Sequence, residues 1–110
     1  MQEYLPEPYT TFRDRYPQVA DATDDLGRQV GDAGPLSDRE QRLAKLGVAI
    51  GALAEGAVRA NVRKSLDAGI TIDEIRQVAL LAITTAGFPA AIAAMTCVDE
   101  VVTARAERAS

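Results

Sequence analysis

The sequence predicts an all-α protein of five or six helices. Three observations carry this expectation. Ser37-Asp38-Arg39-Glu40 and Thr71-Ile72-Asp73-Glu74 both have the Ser/Thr-x-x-Glu spacing of a capping box. In such a box a hydroxyl and a carboxylate satisfy the free N–H groups of a helix start. Glycines stand where helices should stop, at Gly69 and Gly87. Between these signals apolar residues recur every three or four positions, and no stretch alternates as a half-buried strand would.

Taken in order, Met1–Pro8 holds two of the five prolines and reads as a lead-in. A short helix is expected from Pro8 to Tyr16, stopped by Pro17 because the residue before proline is pushed out of the helical region. Tyr9, Phe12 and Tyr16 form an aromatic stripe on it, read as packing. Pro17 suits the first turn of a second helix to about Val30, marked by Val19, Leu26 and Val30. Gly31–Pro35 is a break too short for a domain linker. The expectation is one structural domain, with residues 1–35 as an N-terminal helical extension of the helical domain 36–110.

Three core helices are then expected at Arg39–Leu53, Glu55–Ala68 and Ile72–Ala86. On the first, Leu43, Leu46, Gly47, Ile50 and Leu53 share a face, and Gly47 and Gly51 would let another backbone approach. On the second, Ala57, Val58, Asn61, Val62 and Ser65 form a small or apolar face, with Arg63, Lys64 and Asp67 toward solvent. On the third, Leu80 and Leu81 widen the apolar face enough to touch neighbours on two sides. A last helix from Pro89 to about Arg108 would pack through Ile92, Met95, Val98, Val101 and Val102.

Composition narrows the function. The 110 residues are 47% hydrophobic but only 5% aromatic, without Trp, so the core must be built of Ala, Val, Leu and Ile. So thin a core points to self-association. A net charge of −4 with no basic stripe argues against nucleic acid as a partner. No apolar run reaches the ~20 residues needed to span a bilayer, and no signal-peptide pattern opens the chain. A cytoplasmic location away from membranes is therefore expected. With one cysteine, Cys97, and no histidine, neither an internal disulfide nor a thiol or imidazole metal site can be built. No metal or cofactor is expected.

Glu55-Gly56, Ala68-Gly69-Ile70-Thr71 with Glu74-Ile75, and Gly87-x-Pro89-Ala90-Ala91 stand in the order and spacing of a known family. Over Leu36–Val102 the chain resembles the carboxymuconolactone decarboxylase family, which includes the alkyl hydroperoxidase D-type redox proteins. The resemblance implies an alkyl hydroperoxidase D-like fold, a small orthogonal helical bundle, assembled as a homotrimer or hexamer. In the redox branch a Cys-x-x-Cys pair, a His and a relay Glu carry thiol peroxidase chemistry. Those positions fall here on Ala54, Ala57, Asn61 and Arg42, so that chemistry is expected to be absent.

The decarboxylase branch has a Glu-Gly-x-x-Arg-x-His pattern, of which Glu55, Gly56 and Arg59 remain, with Asn61 in place of the His. A further His of that branch falls at Thr96. By resemblance, Arg59 could bind a substrate carboxylate, while Glu55 or Asn61 holds an enolate oxygen or moves a proton. Spacing alone allows a plainer reading, in which Glu55 and Arg59 are an i, i+4 surface pair and Asn61 bonds a neighbouring helix. Cys97 reads as a small core residue. The functional expectation is a redox-inactive protein binding a small organic acid or lactone and acting on it weakly. The alternative is a non-catalytic oligomeric scaffold or sensor.

Overall fold

The structure, a computed structural model, describes residues 7–109, so most of the expected lead-in lies outside the described residues. The helices are α1 (Glu7–Arg15), α2 (Pro17–Asp32), α3 (Asp38–Gly51), α4 (Glu55–Asp67), α5 (Ile72–Leu81) and α6 (Phe88–Ala109), with a 3-10 turn at Ala82–Thr84. Among the described residues there is no strand. The chain divides between Pro35 and Leu36 into two compact units.

The first unit is the pair α1 and α2. Pro17 occupies the first turn of α2, where its missing N–H costs nothing. An ion pair from Arg13 to Asp24 ties the two helices together. The aromatic stripe packs largely on itself: the Phe12 and Tyr16 rings lie 5.7 Å apart and the Arg13 guanidinium sits 5.3 Å above Tyr9. All three rings remain exposed.

The second unit holds the main core. Both capping boxes are formed. Ser37 Oγ accepts from the Glu40 N–H at 3.1 Å while Glu40 accepts from the Ser37 N–H at 2.8 Å. Thr71 and Glu74 repeat the exchange at 3.1 and 3.0 Å. Gly69, at φ 86°, closes α4 in the left-handed region that glycine adopts freely. Leu46, Val62, Ile75 and Val98 are fully buried at the centre, where α6 packs against α3, α4 and α5. Each such side chain contributes about 1.5–3 kcal/mol by leaving water.

Five expectations are corrected. The helix opening at Ile72 stops at Leu81, not Ala86. Beyond it the Ala82 carbonyl accepts from Thr85, Ala86 and Gly87 at 3.2, 2.8 and 2.9 Å, and Gly87 turns the chain at φ 106°. The Thr85 hydroxyl takes up the Leu81 carbonyl at 2.9 Å, as threonines near helix ends do. The seam of α6 is made of Ala90, Ala91, Ala94, Cys97, Val98 and Val101, while Ile92 is 54% exposed. Small side chains let α6 lie close to its neighbours, so they take the core and Ile92 faces outward. Gly47 does approach another helix, with Val78 Cγ1 3.9 Å from the position of its missing Cβ, but Gly51 faces open space. Leu80 and Leu81, expected between neighbours, are exposed in the single chain, as is Leu53 beyond the end of α3.

Candidate functional site

The helix α4 presents two chemically different sides. On one, Asn61 Oδ1 accepts from Arg42 Nη1 of α3 at 3.3 Å, and its amide donates to the Ala57 carbonyl at 2.8 Å. The Asn61 carbonyl accepts from the fully buried Ser65 hydroxyl at 2.7 Å. Ala54, the residue before α4, and Ala57, in its first turn, are exposed. The positions that the resemblance gives to the relay Glu and the His are thus neighbours across α3 and α4, filled by a cation and an amide.

On the other side lie Glu55 and Arg59. The Arg59 guanidinium is 4.0 Å from Glu55 and 3.6 Å from Glu100 of α6, distances too long for good hydrogen bonds. Its one side-chain hydrogen bond goes to the Cys97 thiol, Nη1 to Sγ, at 3.7 Å. Cys97 in turn lies 4.0 Å from the Glu55 carbonyl oxygen. Burial pushes the thiol pKa up, and the nearby Arg59 charge only partly opposes this. The thiol therefore stays protonated near neutral pH, inert as a nucleophile.

Beside this group a pocket of about 200 Å³ opens between the end of α3, α4 and α6. Its walls are mostly apolar, from Ile50, Leu53, Val58 and the alanines of α6, with Glu55 and Cys97 as its polar marks. Leu53 is held at φ 56°, a conformation unusual for a bulky residue. It closes α3 by a pattern usually given to glycine: Leu53 N–H donates to Ile50 and Ala54 N–H to Ala49, at 3.1 and 3.2 Å.

Of the residues singled out in the sequence, the structure brings Glu55, Arg59 and Cys97 together, and separately Arg42 and Asn61. Thr96 is exposed and bonds back to the Ile92 carbonyl of its own helix at 3.2 Å. Glu100 was not singled out. Its signal was available, since it stands one turn beyond Cys97 on α6. Among the described residues no three His, Cys, Asp or Glu side chains gather closely enough to hold a metal ion. No helix there is long and apolar enough to cross a membrane.

A strand-free bundle with two box-capped helices around a central junction places the protein in the class of small all-α proteins with an alkyl hydroperoxidase D-like fold. The chain belongs to the Carboxymuconolactone decarboxylase family, whose sequence profile matches residues 17–100. That span opens at the start of α2 and so includes one helix before the stretch that carried the resemblance. Its relatives include the uncharacterized protein MJ1511 of Methanocaldococcus jannaschii, 30% identical over 102 residues, which are 92% of this chain and 95% of that protein.

Proposed function

We propose that the protein binds a small, largely apolar organic acid or lactone in the pocket beside Cys97, with the ligand's carbonyl or carboxylate oxygen on Arg59. The observation that supports this is the state of Arg59. Arg59 does not itself line the small apolar pocket but meets Cys97 and Glu55, which do, and its hydrogen-bonding capacity is little used by them, since the thiol is a weak acceptor and both carboxylates lie beyond good hydrogen-bond range. A ligand oxygen would take those donors in the two-pronged geometry that guanidinium favours. Glu55 and Glu100 oppose a second negative charge, which favours a lactone or a monoacid over a diacid. Any turnover would be weak and would use Glu55 to move a proton. Asn61, held by Arg42, has no part in this reading. Thiol peroxidase chemistry has none either, because Ala54 and Ala57 cannot be nucleophiles.

A thermal-shift screen with lactones and short carboxylic acids finds the ligand, and Arg59→Ala tests the role. A charge-assisted hydrogen bond in a partly closed site is worth about 2 kcal/mol or more, so affinity should fall about thirtyfold with the fold intact. Unchanged affinity would leave Arg59 a surface pair with its two glutamates.

A second reading has its own observation. Leu80, Leu81, Phe88 and Ile92 are large, apolar and exposed on the single chain, which supports a homo-oligomer, trimer or hexamer, kept as a non-catalytic scaffold or sensor.

A further inference from the structure

Three cations stand at i, i+3 and i+6 on α3, Arg39, Arg42 and Lys45, and all line one open groove of about 440 Å³ beside the end of α4. Their electrostatic states differ. Arg39 is paired with Glu74 of α5. Arg42 and Lys45 have no carboxylate within ion-pair distance among the described residues. Arg42 is moreover half-buried, and its one side-chain hydrogen bond goes to a neutral acceptor, Asn61 Oδ1. A guanidinium carries five N–H donors in a planar fork, so four have no acceptor among the described residues. Arg42 lines the open groove, where an anion can take those donors from water by a charge-assisted, two-pronged contact.

We propose that Arg42 and Lys45 form a binding site for an oxyanion, the carboxylate or phosphate group of a small molecule lying in this groove. Asn61 fixes the plane of the Arg42 fork and leaves its remaining N–H groups to the ligand. Lys45, one turn further along α3, adds a second charge from the same side. Asp38, one turn before Arg42, repels anions at the other end of the groove, so the oxyanion sits toward Lys45. Ala68 and Ile70 offer an apolar wall for a short carbon body. The site is independent of the Arg59 pocket. Arg59 and Asn61 are two residues apart on α4, about 200° around the helix, and contact different neighbours.

The test is a side-chain NMR titration of the full chain at constant ionic strength, with inorganic phosphate and with butyrate as probes. The Arg42 Nε–H and Asn61 amide signals should shift saturably with at least one probe, and the probe that binds identifies the source of the oxyanion. Arg42→Gln should weaken binding about tenfold or more, and Lys45→Gln by a smaller factor. Arg76→Gln, at a residue that pairs with Asp99 and lines neither the groove nor the pocket, should leave these shifts unchanged. Should Arg42→Gln fail to fold, Arg42→Lys keeps the charge but loses the fork and should still weaken binding. Non-saturating shifts with both probes, or equal affinity in the wild type and the Arg42 variant, would overturn the proposal.

Discussion

Leu53 offers a sharp check on the backbone between α3 and α4. At φ 56° its Cβ crowds the following carbonyl, which costs a non-glycine residue about 1–2 kcal/mol. Leu53→Ala keeps that cost and Leu53→Gly removes it. Against the gain, glycine loses more backbone freedom on folding, about 0.5–1 kcal/mol. The Leu53 side chain is 64% exposed, so the little packing it supplies is lost in both variants alike. The glycine variant should therefore be the more stable of the two, by about 0.75 kcal/mol from the midpoints of those two ranges and by up to about 1.5 kcal/mol from their extremes. At an ordinary helical position the same comparison favours alanine by up to about 1 kcal/mol, so the sign is diagnostic. Urea unfolding of both variants at one protein concentration, followed by circular dichroism, measures it. An alanine variant as stable as the glycine variant, or more so, would refute a strained Leu53. Because this side chain also walls the pocket, both variants should bind the pocket's ligand more weakly than the wild type.

Acid should weaken the protein through its capping boxes. The Thr71 backbone N–H, then Arg39 and the Thr71 hydroxyl, hold Glu74 down from an ordinary 4.5 to about 2, and Ser37 lowers Glu40 in the same way. A depressed carboxylate stabilises the fold fully above its ordinary pKa, and that contribution is lost as pH falls from 4.5 toward 2. The thermal midpoint should decline through this window, and Glu74→Gln should flatten the decline; an equally steep profile in the variant would refute the role. For the assembly, light scattering at micromolar concentration should give a trimer or hexamer mass, and a monomer mass would reject self-association. Placing cysteines at 54 and 57 should not create efficient peroxide turnover. The positions that would relay the proton hold Arg42 and Asn61, a guanidinium and an amide in place of the carboxylate and imidazole, and rapid peroxide reduction by the double variant would show that no such relay is needed.

The local parts of the fold were legible because they depend on residues close in sequence. A capping box needs only the spacing from Ser37 to Glu40 or from Thr71 to Glu74, and Gly69 needs only its own missing Cβ. What depends on partners was harder to see. The early stop of α5 follows from the Ala82 carbonyl collecting three donors, a competition that apolar periodicity does not report. Large apolar residues attracted the seam of α6 to Ile92, whereas close packing selected the alanines and Cys97. Hydrophobicity names candidates for burial, but the distance between helices decides which size of side chain fits.

The candidate site divides along the same line. Helix spacing alone pairs Glu55 with Arg59, and the structure keeps them within 4.0 Å. Grouping Arg59 with Asn61 comes from the motif instead, and the geometry of α4 works against it. Each residue turns the helix by about 100°, so two residues apart means nearly opposite sides. The contacts follow that rotation: Arg59 meets Cys97 and Glu100 of α6, while Asn61 meets Arg42 of α3. Neither partner is visible from spacing, because Arg42 lies 19 positions away and Cys97 lies 38. One loose guanidinium therefore stands beside an apolar pocket and another beside an open, partly basic groove. In each case the feature that suggests a ligand is a cation whose donors exceed the acceptors the protein supplies.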